Sequence, residues 1–485
     1  MALVLGLDIG STSTKVVLVE VSTAVHIKAA HSAPTPHTVE ALRAAIAALI
    51  TACLRSADSP IAAVGIASMA ESGAAIAADG TGLTELLRWD RHVHPRHLQT
   101  LLAARPDLAE FTGVPATTKP AAVALIELQA EHPTVLRRMQ RWMGVADIAT
   151  HALTGVFASD HTLAARTMLM QGDSRQWNTQ LLDDLSLSAR MLPDIVAPTE
   201  PAGFTHANAL GLPPGIPVYI GGHDHAVGAW ALGARDEGHS AVSLGTAEAV
   251  IRITKSCDRV GAVSAGFAVS RTVDDTAATI MGGSRSCGAM LTWWSQRHPA
   301  DDTLARLQAA IPTKWTTSPL TVLPYPAGRQ CPQPNPNATV ITSIAPGHDD
   351  VDADERSRAV LQAIILQSRW MRDYADDLAG SLSNRLMVLG SLLQRIPAWG
   401  PLLACSGIPT ISTDVHEPVA AGAALLAAVR SGLAPHTAHL PTTDIRPSQA
   451  PGLDDAYQRF RALLATEPQK HTPKDSPLEE NNDHP

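Results

Sequence analysis

The chain of 485 residues is 45% apolar and 17% charged, enough for about two or three domains with real cores and too apolar for wholesale disorder. Its 37 Lys and Arg against 46 Asp and Glu give a formal net charge of −9, which excludes non-specific nucleic-acid binding through a basic surface. Cys53, Cys257, Cys287, Cys331 and Cys405 are widely spaced and form no C-x-x-C pair, which argues against a disulfide framework and a structural zinc site. No basic-then-apolar leader opens the sequence, and no uncharged apolar run reaches ~18 residues. A reduced, cytoplasmic protein with no membrane span is the expectation.

The opening run Leu3-Val4-Leu5-Gly6-Leu7-Asp8-Ile9-Gly10 is β-prone, as is Lys15-Val16-Val17-Leu18-Val19 after the small residues Ser11 to Thr14. The spacing predicts a β-hairpin with a hydroxyl-rich turn. Val39, Leu42, Ile46, Leu49, Ile50 and Cys53 recur at helical spacing, and residues 61–67 read as a buried strand. The first seventy residues therefore run strand, strand, helix, strand, an α/β pattern. Residues 241–251 repeat the hairpin signal around Leu244-Gly245-Thr246, so two halves of related design are expected, meeting near residue 238. A long helix over 354–378, a strand over 385–389 and a small-residue helix from Glu417-Pro418 follow. Residues 451–466 form a terminal helix, and 467–485, with four prolines and one leucine, read as a disordered tail.

Three stretches carry chemistry-bearing residues. Asp8 stands at a strand end beside the Gly10–Ser13 turn, with Lys15 just beyond, and such a turn can cradle phosphate oxygens through its N–H groups. It is not a Walker A loop, because a strand follows it. Its structural reading, an ordinary hairpin turn, weakens because residues 244–246 offer a second such turn in the matching place of the other half. Gly221-Gly222-His223-Asp224-His225 follows a strand-like run, so Asp224 can approach a ligand and accept a proton, or can cap the helix that follows. The paired histidines, like His92, His94 and His97, read as loop histidines because no further ligand stands at a metal-site spacing.

In this order and spacing, the Asp8–Lys15 turn, the Gly222–Gly228 segment and the Ser243-Leu244-Gly245-Thr246 hairpin resemble the FGGY family of carbohydrate kinases. Supporting stretches are Ala152-Leu153-Thr154-Gly155, the run from Asp160 to Arg166, Trp177 with Leu192-Pro193, and Leu323-Pro324-Tyr325 leading to Gly328-Arg329. The resemblance covers residues 1–430. It implies two ribonuclease-H-like α/β domains of the actin-like ATPase type, at 1–238 and 239–450, with ATP and a sugar in the cleft between them. It further implies Asp224 as general base, Asp8 as a Mg²⁺ holder through water, and Ser11, Thr12, Ser13 and Lys15 on the first phosphate turn. Gly245 and Thr246 fall on the second phosphate turn, and Gly288 and Gly390 at nucleotide-binding glycines.

Two departures bear on the expected substrates. The family's Gly-Gly-Gly adenosine run is here Gly390-Ser391-Leu392, which puts side chains where a purine would lie flat. In the sugar loop, glycerol kinases carry Arg-Glu and xylulokinases Met-His, whereas this chain has Ala70-Glu71. Glu71, Asp90 and His225 are the expected substrate contacts, and neither glycerol nor D-xylulose fits them. The reading is a kinase of a small ketose or alditol, with a homodimer as a compatible assembly. The competing reading is a weakened, kinase-like protein that senses a sugar or nucleotide.

Overall fold

The computed structural model describes residues 1–22, 25–172 and 174–467. The predicted hairpin forms from strands Ala2–Ile9 and Ser13–Val21, antiparallel, with Asp8 opposite Lys15 and Ile9 opposite Thr14. Strand Val25–Pro34 pairs antiparallel on the far side of the second strand. The sequence reading passed over it because its His, Lys and Ala residues are mostly half-exposed at the sheet edge and lack apolar alternation. Helix Val39–Leu54 follows, its N-terminus capped by Thr38, whose hydroxyl accepts the Ala41 N–H. Strands Ile61–Ser68 and Pro217–His223 then join in parallel beyond the first strand. A short strand, Gly203–Phe204, closes that edge, completing six strands.

The second half repeats this plan. Strands His239–Leu244 and Glu248–Thr254 form the second hairpin, and Ala278–Ser284 extends it antiparallel. Arg385–Leu389 and Thr410–Ser412 extend it in parallel on the other side. Both sheets thus place strands in the order third, second, first, fourth, fifth, the ribonuclease-H-like arrangement expected. Edge strands Ala268–Arg271 and Thr443–Ile445 bring the second sheet to seven. The long helix spans Ala353–Ala379 and starts with a reciprocal cap between Asp352 and Glu355.

Two helices fill the space between the sheets: Asp224–Ala231 and Pro418–Arg430. Their alanines share one buried cluster with Val4, Val17, Ala63 and Tyr219 from the first sheet and Ala241, Ile251 and Met387 from the second. The Pro418–Arg430 helix lies directly on the first sheet. A Cβ on Gly6 or Gly65 would come within 1.9 Å of the Ala420 or Ala423 carbonyl oxygen, so only glycine admits this approach. At the helix end, Arg430 donates to the carbonyls of Ile220 and Val273, each at 2.7 Å, tying both halves together.

The terminal helix spans Leu453–Ala465. The disordered-tail expectation for 468–485 lies outside the described residues, but Glu467 departs from it. Its side chain is buried and pairs with Arg329 at 2.5 Å. No helix among the described residues is long and apolar enough to cross a membrane.

Candidate active site

Between the halves opens a cavity of about 1440 Å³, lined by both hairpin turns and by the N-termini of both central helices. The first turn is held rigidly. The Gly10 N–H donates to Ser13 at 3.1 Å, the Thr35 hydroxyl to the Gly10 carbonyl at 2.7 Å, and the Arg88 guanidinium to the Ser11 carbonyl at 2.6 Å. Ser11, Thr12 and Ser13 all face the cavity, as do Gly245 and Thr246 of the second turn. Gly288 does not line it. It stands behind the second turn, where the N–H groups of Gly288 and Ala289 donate to the Gly245 and Thr246 carbonyls at 3.1 and 2.9 Å. A side chain there would meet Gly245 at 2.8 Å, so this glycine shapes the turn from below.

Asp8 is buried at the head of the first turn. Its Oδ2 takes a 2.9 Å ion pair from Lys15, which also lies 3.4 Å from Glu417. Its Oδ1 is buried with no hydrogen-bond partner. Burial pushes the Asp8 carboxyl up to about 6; Lys15 opposes the rise, while Asp224 and Glu417 add to it. An oxygen so placed among carboxylates fits a hard cation held directly or through water.

Asp224 is the first residue of its helix and faces the cavity. Its Oδ1 accepts the His225 N–H at 2.6 Å and lies 3.3 Å from His223 Nε2. The rings of His223 and His225 stand edge to face at 5.3 Å, and with Asp224 they form the one cluster of three potential metal ligands among the described residues. Burial pushes His223 down to about 4, so its imidazole is neutral at neutral pH. The strand end beneath is fixed by the Asp160–Arg166 run. The Thr162 hydroxyl accepts the His223 N–H at 2.8 Å, and Asp160 accepts the Thr162 N–H at 2.7 Å. Gly222, at φ 119°, leaves no room for a side chain there, its Cβ position being 2.4 Å from the Thr162 hydroxyl.

Glu71 lines the cavity with a positive φ of 60° and pairs with Arg166 at 2.5 Å. Burial would raise its carboxyl, but Arg166, Lys119 and His223 outweigh that and hold it below the ordinary glutamate value. The guanidinium absent from the Ala70-Glu71 loop therefore arrives from Arg166, a different part of the chain. Asp90 stands outside the cavity lining because Arg88 grips both its oxygens at 3.0 Å. Its neighbour Trp89 lines the cavity instead, together with Lys119 and Arg285, which sequence reasoning missed. Neither cation sits in a recognisable motif; only the fold brings them to one ring.

At the opposite end, Gly390 has φ 123° and packs against Leu244, whose carbonyl oxygen lies 2.0 Å from its Cβ position. Leu392 turns away from the cavity into the core of the second half, whereas Ser391, Leu393 and Gln394 line it. Of the two residues that replace glycines, Ser391 reaches the cavity and Leu392 does not.

The sequence matches the N-terminal domain of the FGGY family of carbohydrate kinases over residues 3–231 and the C-terminal domain over 240–431. It is 28% identical over 216 residues to an L-fuculokinase of Salmonella typhi, a match taking in 40% of this chain and 43% of that protein. The chain thus spans about two fifths of the L-fuculokinases it matches. A xylulose kinase of Escherichia coli is 26% identical over 377 residues, covering 74% of this chain and 76% of that one. The fold superposes on a xyloylose kinase from Brucella ovis with a TM-score of 0.83 at 22% identity, over 95% of this chain and 98% of that one. With both domain matches in sequence order and the duplicated fold beneath them, the chain belongs to the FGGY family of carbohydrate kinases.

Proposed function

We propose that this chain transfers the γ-phosphoryl group of ATP to a hydroxyl of a small sugar or polyol, with Asp224 as general base. The observation that carries this reading is a cavity-facing carboxylate at a helix N-terminus, in one cleft with two phosphate-type turns. The acceptor hydroxyl gives its proton to Asp224 as its oxygen bonds to the γ-phosphorus. The bond to the β,γ-bridging oxygen breaks and ADP departs. Such transfer depends on positioning and charge neutralisation more than on covalent catalysis.

The residues divide the work accordingly. The N–H and hydroxyl groups of Ser11, Thr12 and Ser13 hold the phosphates from one side, and the Gly245-Thr246 turn holds them from the other. Lys15 supplies a fixed positive charge. Mg²⁺, when bound, neutralises phosphate charge, and Asp8 is the residue to hold it through water, with its buried, unpartnered Oδ1. Neutral His223, 3.3 Å from Asp224, orients that carboxylate without taking its proton. Glu71 and His225 contact the acceptor, and Ser391 with Gln394 lines the nucleotide end. An ATP-consumption screen over ketoses, alditols and aldonates tests the reading. Turnover above the water-only background with one of them supports it, and none across the panel refutes it.

A further inference from the structure

The charge inventory at the acceptor end of the cleft does not balance. Lys119, Arg166 and Arg285 all line it, facing Glu71 and Asp224. Glu110 lines the cavity as well, and Asp90, gripped by Arg88 just outside the lining, acts on Lys119 and Arg285 only through space. Arg166 takes Glu71, and Asp224 makes its contacts with neutral His223 and with His225, pairing with neither of the other two cations. Lys119 and Arg285 remain. They approach the same indole from different halves of the molecule, Lys119 at 5.0 Å and Arg285 at 5.5 Å from the Trp89 ring centroid. Lys119 donates to the Gln330 side chain at 3.2 Å, and no carboxylate among the described residues lies within ion-pair distance of it. Arg285 has no hydrogen bond or ion pair among the described residues.

Both side chains are half-buried. Burial lowers the pKa of Lys119, and Glu71 offsets this only in part. A half-buried cation left without a counter-ion is costly, so a pair of them at a ligand site favours a ligand that brings negative charge. A ketose or alditol offers hydroxyls alone and gives neither cation an ion-pair partner, leaving only the through-space attraction of Glu71 and Asp90. Arginine presents a planar fork to a carboxylate, and lysine adds a point charge beside it.

From this pairing, and resting on the kinase reading above, we propose that the acceptor is a polyhydroxy acid whose carboxylate lies between Lys119 and Arg285 beside Trp89, leaving a hydroxyl for Asp224. Because the two cations come from different halves, the same carboxylate would draw the cleft closed over the acceptor. The small sugar or polyol of the kinase reading is thereby narrowed to its acid form, an aldonate, in place of the ketose or alditol expected from the sequence.

The test pairs each aldonate with the alditol of the same carbon count, gluconate with glucitol and ribonate with ribitol, in an ATP-consumption assay on the full chain. Ketoses and sugar phosphates form two further arms. The aldonate should exceed its alditol by at least about tenfold in kcat/KM. Lys119→Met and Arg285→Gln should each raise the aldonate KM by at least about tenfold, with the KM for ATP within about twofold of wild type. Arg285 has no hydrogen bond to lose, so Arg285→Gln remains informative if Lys119→Met melts early. Equal or better use of the neutral partner, or preference for a sugar phosphate, overturns the proposal. So does a rise in the ATP KM with every acceptor, which would assign the two cations to the nucleotide. If nothing turns over, the kinase reading fails, and thermal shift without ATP decides the ligand class. Protection by aldonates but not alditols supports the acidic ligand, and protection by neither overturns it.

Discussion

Replacing Glu248 by glutamine should stabilise the chain in alkaline solution and change little in acid. Glu248 opens the strand after the second phosphate turn, is 1% exposed, and neither carboxylate oxygen has a hydrogen-bond partner. Burial pushes it from 4.5 up to about 7, with Ser368 and Arg372 offsetting part of the rise. Below 4.5 the group is protonated in folded and unfolded chains alike, and ionisation adds no cost to folding. As pH rises toward 7 the unfolded chain ionises first, so the folded state loses stability; above about 7 the loss is complete. At ~1.4 kcal/mol per pKa unit, the full loss is on the order of 3 kcal/mol. Glutamine keeps the shape and carries no charge to bury. Melts of both proteins at pH 8 should therefore separate by several degrees, and melts near pH 4.5 should nearly coincide, at ~2–4 °C per kcal/mol. A shift of equal size at both pH values, or a larger one in acid, would refute the reasoning.

Glu71→Gln leaves Arg166 without its charge partner in the acceptor pocket, so steady-state kinetics should show the acceptor KM rising by about tenfold before the KM for ATP moves. Gly65→Ala drives a methyl group to within 1.9 Å of the Ala423 carbonyl oxygen and must lift the helix that carries Glu417. It should cost ~1–3 kcal/mol in chemical denaturation and lower kcat as well, since both central helices share that packing. Glu467→Gln in the full chain, or truncation after Thr466, strands buried Arg329 and should cost ~3–5 kcal/mol; an unchanged melt would show the pair contributes nothing.

What was legible in the sequence is what local chemistry writes. Both hairpins, the helices at 39–54 and 353–379 and the strand at 385–389 follow apolar periodicity and turn residues directly. The edge strand Val25–Pro34 was not legible, because a half-exposed edge needs neither alternation nor β-branched residues. The phosphate turns could be read because a contiguous run of small residues makes each one. The acceptor end was legible only in part: Glu71 and His225 were expected there and line the cavity, but Lys119, Arg166 and Arg285 lie far apart in the chain and converge only through tertiary packing. Gly288 was expected at a nucleotide-binding glycine, but it stands outside the cavity lining and its neighbour is the Gly245 carbonyl. Leu392 looked like an obstacle in the sequence because direction cannot be read from a one-dimensional run; its side chain points into the core.

The central claim is that Asp224 accepts the acceptor's proton, and Asp224→Asn tests it most directly. Asparagine retains an oxygen to accept the His225 N–H, which the Asp224 Oδ1 now does at 2.6 Å, so the helix start should survive. It has no basic oxygen to take the departing proton. With the acceptor that wild type turns over best, kcat should fall by at least ~100-fold, while the melting temperature and the KM for ATP stay near wild type. A variant that folds normally and turns over at close to the wild-type rate would contradict the account.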